Sequence, residues 1–563
     1  MSKQYRMNSL STRIAGFPAI LCLCVAAVVA QTPAPQISPA PQTPPEQSPP
    51  RVPGTPQSES PGTEKQITPQ EAKQLFGLVD ELLKFSSGET GFPIKREVKR
   101  RLTTRNEVEG YLKEKFDEDE DAKRMQRSEI VLKKFGLLDR DFDLKPFLLA
   151  LLKEQIEAYY DPKEKTVNLL DWVGVDEQKP VLAHELTHAL QDQHVDLDKW
   201  SDQTPPDVSH TASEDSDHLA KDELDTAREA VTEGQATAVM MDNILKPMGK
   251  SLVGDPEIVE FIKHQMAGSE NSPILARAPL LLSESLLFPY REGLSFEQDI
   301  WMDRGQAAAF AGALDRPPSS SWEIMNPRQY EQGHVPSIPY LPDIHPIVDK
   351  TYHPYDIGQV GQLDVHILSG LFGGDAAARD LTPAWDGGIY WAGQRLSATP
   401  AEQATTKSIS LFYLSVWKSE ASAQAFSRLY SSDLGRKYSG VKAEKLAFSD
   451  NSEGSVEQVW TTNEGPVVIT RRGKMVFVAE SFDLPMARKL ADLILSSQGS
   501  GPLESASLEL PHGATPMAMK PGRSESLTDP LVRLLSNCGV SRVVVDAGLR
   551  AGRSIWIPTL GNH

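Results

Sequence analysis

The chain has 563 residues, 39% of them hydrophobic and 24% charged, and 77 acidic against 58 basic side chains leave a net charge of -19. At about 100–200 residues per domain this length implies two or three folded units with a sizeable core, and the acidic balance argues against a nucleic-acid partner. Cys22 and Cys24 lie in an apolar N-terminal run, which leaves Cys538 alone outside it, so the fold is expected to be held by its core and not by disulfides.

Residues 1–30 have a basic start (Lys3, Arg6, Arg13), an apolar run from Ile14 to Ala30 and small residues Val28 and Ala30 at the end. This pattern predicts a cleaved signal peptide and a secreted or periplasmic bacterial protein, whose mature chain would carry a charge near -22. Left uncut, the same run would act as an N-terminal membrane anchor, the one circumstance in which a membrane is expected as a partner. Residues 31–66 follow with 11 of the 42 prolines and almost nothing apolar, the composition of an extended, disordered spacer.

From Ile67 the pattern becomes helical. "EAKQLFGLVDELLKF", "NEVEGYLKEKFDED", "RSEIVLKKFGLL" and "KPFLLALLKEQIEAYY" each space apolar residues three and four apart. Asp161 and Pro162 then predict a turn, and "TVNLL" a short strand.

Next comes "VLAHELTHALQDQH", residues 181–194. Its His184 and His188 are four apart, and at about 100° per residue a helix places such a pair on one face, where two imidazoles reach one ion. Glu185, one step round from His184, is placed to work on a water bound at the open side of that ion. H-E-x-x-H therefore reads as two nitrogen ligands for zinc with a general base beside them. Pro180 stands near the expected helix start.

Catalytic zinc usually takes a third protein ligand. His194 has the spacing of the longer pattern H-E-x-x-H-x-x-G-x-x-H, but Gln191 stands where that pattern has its helix-breaking glycine. If the helix continues, the six residues from His188 turn about 600°, so His194 points about 120° away from the ion. Asp192, four residues after His188, is the better candidate to orient an imidazole from behind. The stretch "DTAREAVTEGQATAVMMDNIL", residues 225–245, reads as a helix whose Glu229 and Glu233 share a face, so either can supply the third ligand.

A glutamate on a helix some tens of residues beyond H-E-x-x-H resembles the gluzincin metallopeptidases. "TEGQA" resembles the "NEGFA" segment of gluzincin aminopeptidases, which implies Glu233 as ligand. "EAVTE" resembles the thermolysin-like "E-A-x-x-D", which implies Glu229 with Glu233 behind it. The series "YYDP", "HELTHALQDQH", "EGQAT", "LLFPYREGLSF" and "RPPSSSWEIMNPRQY", over roughly residues 70–400, resembles uncharacterised exported bacterial metallopeptidase-like proteins. The likeness to zincin peptidases, rather than that series, implies that "TVNLL" is an edge strand pairing with an extended peptide, and that Tyr290 or Tyr330 could face the transition-state oxyanion.

Beyond residue 402, "SISLFYLSVW", "VEQVWTT", "PVVITRR" and "MVFVAES" read as strands, and "EASAQAFSRLYSSDL" and "PMARKLADLILSS" as helices. The expected class is α+β: a mainly helical, zincin-like domain with a small sheet (67–401), then a smaller α+β domain with antiparallel strands (402–498), then a partly disordered tail (499–563). The expected function is that of an exported metallopeptidase with one Zn2+ per chain on His184, His188 and Glu233, and Glu185 as base, acting on a peptide or protein substrate. The alternative is a non-catalytic exported binding or envelope protein on the same scaffold.

Overall fold

The computed structural model describes residues 66–118, 120–201, 208–266, 272–444 and 455–499, together with Val544 and Arg550. The signal peptide, nearly all of the spacer and nearly all of the tail expected from the sequence lie outside the described residues.

The fold is α+β. Four helices build the body around the motif. Helix Pro69–Thr90 begins with a capping box, in which Thr68 accepts from the Glu71 amide and Glu71 accepts from the Thr68 amide. It packs on the motif helix, Val175–Val195, where the Ser86 hydroxyl donates to the Ala183 carbonyl at 3.2 Å. Helix Leu224–Leu245 lies against the motif helix on another side and crosses the long helix Leu280–Arg304. That crossing is set by two glycines: a Cβ on Gly234 would stand 2.3 Å from the Gly293 carbonyl oxygen, and one on Gly293 would stand 2.1 Å from that of Ala230. Only residues without a Cβ permit backbones this close. The glycines of "TEGQA" and "LLFPYREGLSF" are thus two halves of one packing contact.

The motif helix starts five residues before Pro180, at Val175. Gln178 anchors this start: its amide donates to the carbonyls of Leu170 and Val173 while its oxygen accepts from the Leu170 amide. The helix runs on through Asp192 and stops at Asp196, whose φ of 60° is left-handed.

A three-stranded sheet precedes it, β1 (Lys99–Thr103), β2 (Ala158–Asp161) and β3 (Thr166–Leu170), in the order β1-β3-β2. The "TVNLL" strand is therefore central, parallel to β1 on one side and antiparallel to β2 on the other. The expectation that it offers an edge to a peptide is corrected: its ladder groups are already paired on both sides, and all five residues are buried.

The second sheet has seven strands, β4 (Tyr352–Gln359), β5 (Trp385–Arg395), β6 (Ile409–Trp417), β7 (Lys442–Ala443), β8 (Ser455–Thr462), β9 (Gly465–Arg472) and β10 (Met475–Glu480). They run antiparallel in the order β4-β5-β6-β10-β9-β8-β7. Alternation gives it two apolar faces. Tyr390, Leu411, Tyr413, Ile469 and Val478 face Phe426 and Tyr430 of helix Glu420–Ser432, within the same core that includes Val181 and Val231 of the body. Trp391, Phe412, Leu414, Val468 and Phe477 form a second core with Leu490 and Ile494 of helix Leu484–Ser496. A boundary at residue 402 would cut the β5–β6 ladder, and one sheet face shares its core with the helices. No helix among the described residues is long and apolar enough to cross a membrane.

Candidate metal centre

Two helices supply the cluster. His184 Nε2 lies 3.0 Å from Glu233 Oε2 and 3.0 Å from His188 Nε2, and His188 Nε2 lies 3.6 Å from the same carboxylate oxygen. A tetrahedral ion with bonds of about 2.0–2.2 Å holds its ligand atoms about 3.3–3.6 Å apart, so this triangle fits one zinc-sized ion with small adjustments. No other three-residue group among the described residues includes any of these side chains. The donor set, two imidazole nitrogens and one carboxylate, is one that zinc accepts.

The orientation of His188 is fixed from behind by a chain of amides. Gln235 donates through Nε2 to the carbonyls of Ala309 (3.0 Å) and Phe310 (2.9 Å), exposed by a π-helical turn at Ala308–Gly312. Its oxygen must then face Gln191, whose Nε2 donates to it and to the Thr232 carbonyl, both at 3.0 Å. The Gln191 oxygen is thereby left to accept from His188 Nδ1 at 2.8 Å. An amide oxygen cannot donate, so Nδ1 carries a proton and Nε2 is the nitrogen that faces the cluster, free to ligate once a cation replaces any proton there. This is how metal-ligating histidines are commonly held.

The electrostatics favour positive charge at the same point. Burial pulls the His188 imidazole down, but the charge and hydrogen bond of Glu233 and the charge of Glu185 outweigh it and push it up to about 9. Burial raises Glu233 too, yet the two imidazoles hold it down at about 2. The charges that would hold a proton here would equally hold a cation. His184, Glu185 and Glu233 are almost wholly buried, and His188, with 13% of its side chain exposed, is the edge nearest solvent.

The remaining candidates separate cleanly. Glu229, one turn before Glu233 and also buried, does not join the group of three. His194 stacks on Phe92 at 4.8 Å and pairs with Asp315 at 3.1 Å, away from the cluster. Asp192 orients no imidazole: it pairs with Arg96 and Lys165 and accepts from the Tyr160 hydroxyl and the Leu197 amide, which fastens the helix end to β2. Its neighbour Gln191 performs that task, a residue the sequence had shown only as a missing glycine. Tyr290 is fully buried with its ring 6.3 Å from that of His184. The Tyr330 hydroxyl donates to the Arg316 carbonyl at 2.6 Å and its ring packs on Phe296, so it serves packing and not the cluster.

Comparison with models of known protein families, with curated proteins and with solved structures finds no match to this chain, and the chemistry of the site is therefore argued from its own atoms.

Proposed function

We propose that this protein is a zinc-dependent hydrolase of the peptidase type, with His184, His188 and Glu233 as ligands and Glu185 as general base. The observation that carries the reading is the convergence of two Nε2 atoms and one carboxylate oxygen within 3.0–3.6 Å, with His188 held in the ligating tautomer by Gln191. Bound there, zinc would supply a Lewis acid and lower the pKa of a water toward neutrality. Glu185, next to His184 and close enough for its charge to act on His188, would take a proton from the attacking water and pass it to a leaving amine. The resemblance of "HELTH" and "TEGQA" to gluzincin peptidases supports an amide as the bond attacked.

A second reading, a buried metal that only holds the helices together, is favoured by one observation: Glu185 is 1% exposed and His184 not at all. The variant Glu185→Gln separates the two. With unfolded casein and short peptides as substrates, it should keep its zinc and lose about 100-fold or more of its turnover, the scale of a general acid–base group. Unchanged turnover in that variant would remove the hydrolytic mechanism, and absence of turnover in the zinc-loaded parent would favour the structural metal.

A further inference from the structure

A second set of ligand-capable side chains lies outside the cluster described above, in a surface cleft of about 450 Å³ lined by His210, Thr211, Asp343, His345, Asp349 and Lys350. The two oxygens of Asp349 each face one imidazole: Oδ2 is 3.2 Å from His210 Nδ1 and Oδ1 is 3.1 Å from His345 Nδ1. The three side chains form the other group among the described residues whose ligand atoms all lie within 4.8 Å of one another. Behind them, His345 Nε2 meets the Asp215 carboxylate at 3.1 Å. Asp215 is 2% exposed, and its other oxygen accepts from the Ser209 hydroxyl at 3.1 Å.

His345 thus has a carboxylate at each ring nitrogen. A neutral imidazole has a single N–H, which can satisfy only one of them. If the buried Asp215 takes that proton, Nδ1 presents a lone pair to Asp349 and to the Nδ1 of His210, and a cation among these three atoms resolves the conflict. A carboxylate behind a histidine behind a metal is also the usual way a ligating imidazole is oriented.

We propose that His210, His345 and Asp349 bind a second divalent transition-metal ion of the zinc, nickel or copper class, with Asp215 as the positioning residue behind His345. Two imidazoles and a carboxylate suit these ions, and the exposure of His210 leaves the remaining positions to water. Lys350, at the cleft wall, moderates the affinity of any cation there. The ion would clip the chain just ahead of helix Ala212–Leu219 to the short helix His345–Val348, which leads into β4.

The test is calorimetric titration of the full, chelator-stripped chain with Zn2+. The parent should show two equivalents, and His210→Ala, a change at an exposed side chain, should lose one of them. Asp215→Asn should weaken the same step by about 10–100-fold without removing it. In a His184→Ala background one equivalent should remain, and adding His210→Ala should abolish it, so failure of the first site is distinguished from failure of the second. Equal stoichiometry in the parent and His210→Ala proteins would overturn the proposal and leave His345 as an imidazolium bridging two carboxylates.

Discussion

Gln191 lies three residues after His188 on the motif helix, and its amide decides which imidazole nitrogen faces the cluster. Gln191→Leu removes the acceptor while keeping the helix, so zinc affinity measured by competitive chelation should fall by about 10–100-fold with helical content unchanged. Affinity equal to the parent's would show that the tautomer is held by something else. His194→Ala should leave the affinity nearly intact, because that ring is engaged with Phe92 and Asp315, whereas Glu233→Ala should lower it by orders of magnitude. Reversal of that order would return His194 to the ligand set. The histidine pair was legible in the sequence because i and i+4 is a property of one helix. Glu233 against Glu229 was not: the two share a face and differ by about 6 Å along the axis, and only the docking of one helix on another selects between them. The amide chain was equally hidden, since Gln191, Gln235 and the Ala309 carbonyl come from three separate segments.

At the scale of elements, the distance between the Glu233 helix and the long helix rests on the Gly234–Gly293 crossing. Gly234→Ala sets a methyl 2.3 Å from a backbone carbonyl oxygen, which cannot rotate away. The helices must separate, and stability should drop by about 1–3 kcal/mol, read from urea denaturation, with zinc affinity falling alongside because Glu233 is the preceding residue. An unchanged denaturation midpoint would mean that the crossing absorbs the methyl without cost. Most helices and the later strands were readable from apolar spacing, but β1, β4 and β5 were not, nor were the two-residue β7 and β2, whose Ala158–Tyr160 reads as the end of the preceding helix, which in fact stops at Gln155. β1 is "KRRLT", too basic to read as a strand, and it is held in place by Arg101 donating to Asn168 of β3. Its presence is what makes "TVNLL" central. β4 contains Pro354 and an irregularity after it, and β5 contains Gly387 and Gly388, residues that weaken a strand pattern. Missing those two strands placed the expected boundary at residue 402, inside the sheet.

Over the whole molecule, the helical body meets the sheet across a buried group of acids. Ser321 donates to Glu223, Gln359 donates its amide to Asp222, and the Tyr390 hydroxyl donates to Asp356. Burial first, then the charges of Asp364 and Asp222, push Glu223 up to about 8 against the Ser321 hydrogen bond, and burial pushes Asp356 up to about 7. A folded pKa above the unfolded one means that the folded state keeps protons the unfolded chain releases. Their stabilisation is complete below about pH 4 and is lost as pH rises through 7 to 8. Glu223→Gln should therefore flatten the decline of the urea midpoint between about pH 5 and 8, and a decline as steep as the parent's would place its cause elsewhere. The burial of the His184–His188–Glu233 cluster carries a consequence for kinetics. With His188 as its edge nearest solvent, a bound ion would be reached, by a chelator as by a substrate, through local opening of the helices around it. Release then waits on local opening of the helices, so the rate of zinc loss should level off as chelator concentration is raised, at a ceiling equal to the opening rate. Gly234→Ala, which loosens the crossing, should lift that ceiling.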